Sequence, residues 1–168
     1  SLGKQHRRVA LSANVLARVY IIVGDYKKAE EYCEKALAIL EGNAQSKPED
    51  VVIALVMHSE VYIAEGELLK AEPLMQRALE INEKNFGPDN KIASTILGNL
   101  GLLNMKIGRY DMAEIFFKRS LSITEKLYPE DPEIATTLQN LGHIYCKVSA
   151  FEKAEAMVKR AILIREKK

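Results

Sequence analysis

The chain has 168 residues, 48% of them hydrophobic, with 24 Lys and Arg against 23 Asp and Glu and a formal net charge of +1. That apolar share suffices for a continuous core, and the near-neutral balance argues against a general nucleic-acid or membrane-surface binder. Two cysteines without CxxC spacing, Cys33 and Cys146, suit a reducing, cytoplasmic setting. Neither a signal peptide nor an apolar run near 18 residues is read.

In chain order, the first predicted pair of helices covers 5–23 and 26–41, with Gly24 between them. The same frame returns at Gly66 and Gly108, each 42 residues on, and at Ser149 after a step of 41. Small residues recur behind it: Ala29, Ala71, Ala113 and Ala154, then Ala36, Ala78, Ser120 and Ala161. A period of this size marks stacked supersecondary units. Within each unit the apolar residues return at three and four, as Ile134, Leu138, Leu141 and Tyr145 do, which is the helical signature. The remaining helices are predicted at 48–65, 68–84, 89–107, 110–126, 131–148 and 151–167.

Pro48, Pro88 and Asp131-Pro132-Glu133 mark the starts of the later copies. Glycine in the left-handed conformation closes each first helix, and Ser149 is expected to use another ending. Pro73 lies near enough to a helix start to bend it mildly without breaking it. The loop Gly42–Lys47 is the most polar segment and is expected to be the most mobile. One hairpin cannot bury its apolar face alone; several stacked hairpins can.

These residues resemble the tetratricopeptide repeat (TPR). Leu138, Leu141, Gly142, Tyr145, Ala154, Val158 and Ala161 stand at that repeat's signature spacing. The usual period is about 34. The longer step, with Ala71-Glu72-Pro73-Leu74, Gly87-Pro88-Asp89 and Ile134-Ala135-Thr136-Thr137-Leu138, is similar to the kinesin light chain subtype. The resemblance implies an all-α, right-handed superhelical solenoid of four helix-turn-helix hairpins (eight helices), with repeats at about 5–46, 47–87, 88–128 and 129–168. His6-Arg7-Arg8 opens the first helix without a capping unit and the last helix runs to Lys167-Lys168, so the array reads as part of a longer one.

The resemblance also implies a concave groove, lined by the first helix of each hairpin, that binds an extended peptide or a partner helix. Mapped copy by copy, its candidate residues are Asn14 and Arg18, then Ile53, Val56, Met57 and Glu60. They continue with Gly98, Asn99, Leu102 and Lys106, then Gln139, Asn140, His143 and Lys147. The first half is greasy; the second is polar and basic. Asn99 and Asn140 suit a main-chain amide because each side chain donates and accepts. Lys106 and Lys147 suit an acidic side chain or terminal carboxylate. Glycine inside a helix costs about 1 kcal/mol against alanine. Gly101 has a packing reason, as the small residue of its hairpin, whereas Gly98 is expected to face the groove and leave room for a ligand backbone. The carboxylate-clamp pattern of chaperone-binding relatives is not met, since Ala10 stands four before Asn14.

The greasy half, with Ile21, Ile53, Val56, Met57 and Ile63, has a second reading: it packs on further repeats or on another copy of the chain. The sequence therefore supports a non-enzymatic adaptor for a protein partner with acidic and apolar residues, or a weakly self-associating scaffold. No catalytic residue, cofactor or metal is assigned. His143 and Cys146 share one helix face, but two ligands do not make a zinc site. His58 is expected to be partly buried, His6 exposed, and Cys33 to act as a small core hydrophobe. Lys27-Lys28 and Lys159-Arg160 read as solvated faces.

Overall fold

The computed structural model describes residues 2–166, so Ser1 and the predicted last turn at Lys167-Lys168 lie outside the described residues. The described chain is all helix and turn, in the order α1 (Leu2–Val23), α2 (Tyr26–Glu41), α3 (Pro48–Glu65), α4 (Leu68–Phe86), α5 (Lys91–Ile107), α6 (Tyr110–Leu127), α7 (Glu133–Lys147) and α8 (Phe151–Glu166). Its contacts divide it into two compact units, Ser1–Phe86 and Gly87–Lys168.

The first unit holds the hairpins α1–α2 and α3–α4, with α2 packed on α3. Its interior joins Ala17, Ala29, Cys33, Met57 and Val61, flanked by Tyr20, Tyr26 and Tyr32. The Tyr62 hydroxyl donates to Glu30 Oε1 at 2.5 Å, tying α3 to α2. Arg7 forks onto the Asp50 carboxylate at 2.5 and 2.9 Å, tying α1 to α3. Pro73 sits within α4, which runs on without interruption to Phe86.

The second unit repeats the plan with α5–α6 and α7–α8, and α6 packs on α7. Phe117, Leu121, Ile134, Leu138, Leu141, Ile144 and Tyr145 form its core. Close approach within each hairpin rests on glycine. A Cβ on Gly101 would come within 2.8 Å of the Phe117 ring, and one on Gly142 within 2.7 Å of Val158. The packing reason expected for Gly101 is thus present, and Phe117, 1% exposed, is the knob that needs it.

Three helix starts differ from expectation, α1 beginning at Leu2 and not at residue 5. Helix α5 begins at Lys91, past Pro88 and Asp89, because the Asn90 side chain accepts from Ala93 N at 2.9 Å and caps it. Helix α7 begins at Glu133, whose N–H donates to the Asp131 carboxylate at 2.9 Å. The ending at Ser149 also corrects the sequence reading. Ser149 adopts the left-handed conformation itself, with φ 59°, beside Gly24, Gly66 and Gly108 at 79°, 90° and 87°.

The reason lies in the hydrogen bonds that close the helix. Ser149 N bonds Cys146 O at 3.2 Å and Ala150 N bonds Tyr145 O at 2.8 Å, the same pair that Gly108 and Arg109 make with Met105 and Asn104. Satisfying those carbonyls outweighs a left-handed penalty of about 1–2 kcal/mol for a residue with a Cβ. Ser149→Gly should therefore stabilise the second unit by roughly 0.5–1 kcal/mol once glycine's extra chain entropy is counted. Urea unfolding checks this, and a lower midpoint than wild type would contradict it.

Candidate functional site

The candidate residues fall into two sets, one in each unit. In the first unit Arg18 and Ile53 are exposed, Val56 and Glu60 are half-buried, and Asn14 and Met57 lie inside. Met57 is a correction: it is 4% exposed because α2 covers it with Ala29 and Cys33, so it is core and not a groove residue. Asn14 is 5% exposed, and neither atom of its amide meets a partner among the described residues, so it cannot reach a ligand at the surface. Burial pushes the Glu60 carboxyl above its ordinary range, partly opposed by the positive charge of Arg18. The greasy patch is thus thinner than expected, with Ile53 its most exposed member at 49%.

The second unit builds a recognisable hollow of about 270 Å³ along α5, and its lining includes Gly98, Asn99, Leu102 and Asn140. Four of the sequence candidates therefore converge. Lys106, Gln139, His143 and Lys147 do not line it, although all four side chains are exposed. The Gln139 carbonyl accepts from Arg165 at 2.9 Å, which turns it toward α8.

Gly98 behaves as expected of a position without packing demand, since an added Cβ would meet only Ser120 Oγ at an ordinary 3.7 Å. The amides of Asn99 and Asn140 are half-buried and make no side-chain hydrogen bond among the described residues. Both therefore keep donors and acceptors for an incoming group.

Ser94 and Ser120 lie where the other copies carry apolar residues, and with Thr124 they form a closed set of hydroxyls. Ser120 Oγ donates to Ser94 O at 2.8 Å, Thr124 Oγ1 to Ser120 O at 2.9 Å, and Ser94 Oγ to Thr124 Oγ1 at 2.6 Å. Each hydroxyl proton is used, so the set makes a firm polar floor and leaves nothing reactive.

The rim was not read from the sequence. Lys91, at the start of α5, pairs with Asp131 and sits over the Tyr128 ring, and Glu133 adds a second carboxylate. The signal for the floor was visible, as Ser94 standing where other copies have Ala10, Val52 and Ala135, and Ser120 where they have Ala36, Ala78 and Ala161. The signal for the rim was not, because it depends on how the loop before α7 folds back. With Asp131 and Glu133 against Lys91, the hollow is not the basic site the sequence gradient suggested.

His58 has a structural place. His58 is 7% exposed and stacks on Tyr62 with ring centroids 5.0 Å apart; burial holds its pKa below the ordinary 6.5. His143 and Cys146 are both exposed, and no group of three metal-ligating side chains occurs among the described residues. None of the described helices is long and apolar enough to cross a membrane.

Paired antiparallel helices, repeated with small residues at the crossings and with an open polar hollow along a first helix, define a helical-repeat protein. The tetratricopeptide repeat profile matches residues 50–126 and 92–167, and a second profile of the same description matches 9–41. The chain belongs to the tetratricopeptide repeat family.

Among solved structures it is similar to a putative kinesin light chain with nearly identical TPR-like repeats from Podosopora anserina, at 20% identity and TM-score 0.84, covering 97% of this chain and 77% of that one. BtubC (BKLC) from P. vanneervenii aligns at 22% identity and TM-score 0.66 over 98% of this chain and 87% of that one. Aspartyl phosphate phosphatase F from Bacillus subtilis aligns at 16% identity and TM-score 0.82, over 94% of this chain and 40% of that one. At these identities the likeness concerns the fold. No curated protein matches the chain.

Proposed function

We propose that this chain is a non-enzymatic protein-interaction module that holds an extended peptide segment against α5 in the second unit. The observation that carries the reading is the hollow at Gly98, where a missing side chain lies beside two uncommitted amides, Asn99 and Asn140. A peptide backbone presents one donor and one acceptor per residue, and a carboxamide can meet both at once. Leu102, 38% exposed at the edge of the hollow, supplies an apolar contact for a neighbouring side chain. The closed hydroxyl set beneath keeps the floor rigid, which reduces the ordering cost of binding. Acidic ligand residues find their cations outside the hollow, at Lys106 and Lys147.

Capture of partners by wild type and by an Asn99→Ala, Asn140→Ala double variant tests this, with equal thermal stability as the control. The expected result is loss of at least one partner from the variant alone; an unchanged set overturns the reading. Gly98→Ala sharpens it. Helix propensity should stabilise that variant by about 1 kcal/mol, since the added methyl clashes with nothing. The same methyl occupies the space proposed for the ligand backbone, so affinity should fall about tenfold or more, by analogy with an over-filled packing site. Unchanged affinity would place the ligand elsewhere.

A further inference from the structure

The repeat supplies a template for reading the two end faces of the chain, α1 in the first unit and α8 in the second. On α1, Val9, Leu16 and Val19 are 45%, 40% and 48% exposed. Their repeat-equivalents on α7, Ile134, Leu141 and Ile144, are 3%, 1% and 1% exposed in the core that α6 and α7 share. The α1 side chains thus have the character of a face that a second helix of a hairpin normally covers. Helix α8 shows the converse. Phe151 and Ile162 are 66% and 48% exposed. Their equivalents on α6, Tyr110 and Leu121, pack against α7.

The polar residues match as well. Inside each unit a tyrosine of the later first helix donates to a glutamate of the earlier second helix: Tyr62 to Glu30 at 2.5 Å and Tyr145 to Glu114 at 2.8 Å. In the same frame α1 carries Tyr20 and α8 carries Glu155. An arginine also reaches back to a glutamate in each unit, Arg77 to Glu41 and Arg160 to Glu125. The corresponding end-face residues are Lys35 on α2 and Glu166 on α8. An open hollow of about 340 Å³ lies beside Tyr20 and Lys35, also lined by Lys28, Tyr32 and Glu31; Lys28 is paired with Asp25, so Lys35 is the cation set to receive a carboxylate there. One end therefore offers a hydroxyl donor, Tyr20, and a cation, Lys35; the other offers Glu166, Glu155 (paired with Lys159 on the same helix) and an apolar pair.

We infer that the α1 face of one copy docks on the α8 face of a second copy, head to tail, repeating between chains the α2–α3 and α6–α7 packing found within them. The contact is heterologous, so a dimer still carries one unused face of each kind and adds further copies, into a ring or an open chain. Charge complementarity and the shared frame select a second copy as the occupant.

Sedimentation velocity on the 168-residue chain tests it. Wild type should grow in mass with concentration past a dimer. Val19→Glu and Ile162→Glu should each be monomeric, and circular dichroism melts should match wild type because both side chains are largely exposed. Mixed together, the two variants retain one good α8 face and one good α1 face, so they should form a one-to-one dimer and nothing larger. Lys35→Glu and Glu166→Lys should each weaken association about two- to fivefold, the range of an exposed ion pair, and combining both in one chain should restore it. A wild-type chain that stays monomeric at millimolar concentration overturns the proposal and assigns these faces to other occupants, such as further repeats. A mixture of the two blocked variants that stays monomeric overturns it too, since that is the behaviour of a symmetric dimer.

Discussion

Phe117→Ala should cost the second unit about 3–5 kcal/mol, the range for truncating a buried aromatic side chain. Phe117 is 1% exposed and lies against the Cα of Gly101, so removing the ring opens a cavity at the crossing of α5 and α6. The sharper expectation is a change of sign at Gly101. In the wild-type background Gly101→Ala places a methyl 2.8 Å from ring carbons of Phe117. Overpacking of that kind costs about 1–3 kcal/mol, more than the roughly 1 kcal/mol that alanine gains in helix propensity. With the ring gone, only the propensity gain and some cavity filling remain. Gly101→Ala should therefore destabilise wild type and stabilise Phe117→Ala. Urea unfolding of the four proteins in a double-mutant cycle measures the coupling. Additive behaviour would mean that the close approach is not what glycine provides there.

The second large effect is a loss of stability in alkali. Cys33 is fully buried in the first unit, and burial beside Glu60 and Glu30 pushes its thiol from the ordinary 9.0 up to about 12. In the unfolded chain the thiol ionises near its ordinary value, whereas the fold retains the proton. The stabilisation is thus fully present below about pH 9 and is lost as pH rises toward 12. Carried over that interval the difference is on the order of 4 kcal/mol, comparable with the whole stability of a small unit. Tyr62, whose hydroxyl is raised above its ordinary 10.0 by burial and by Glu30, adds a loss of the same sign at higher pH.

Thermal melts should show the first unit losing stability from pH 9 upward, with Cys33→Ala flattening the decline between pH 9 and 12. A profile identical to wild type would contradict the assignment. Iodoacetamide at pH 8 gives an independent check. It should modify the exposed Cys146 in the native protein and reach Cys33 only after unfolding.

The helical period made most of the fold legible. Gly24, Gly66 and Gly108 announced the turns, and alternating threes and fours announced which faces are buried, because both follow from local geometry. Ser149 was misread because sequence alone prices a left-handed serine as strained and cannot see the two carbonyls that its conformation satisfies. The starts of α5 and α7 were each misjudged by two residues: proline marks a permitted start, but the Asn90 cap chooses the one at α5, and at α7 the Asp131 carboxylate takes the N–H of Glu133.

The candidate site was legible only in part. Gly98, Asn99, Leu102 and Asn140 were singled out from their frame and do line one hollow. Met57 and Asn14 occupy the matching frame in the first unit yet lie inside, Met57 against Ala17 of α1 and Ala29 and Cys33 of α2. Equivalent positions in a repeat share a direction from the helix axis; they do not share what stands in front of them.

The sequence by itself therefore determined the repeating hairpin, its small-residue crossings and the membership of the family, all consequences of spacing along one chain. Only tertiary structure decided which residues of that frame remain open to a partner. It turned the basic second half into a hollow flanked by Asp131 and Glu133 and left apolar faces on α1 and α8 uncovered among the described residues. The physical reason is that exposure and charge pairing are set by neighbours distant in sequence, and a period carries no information about them.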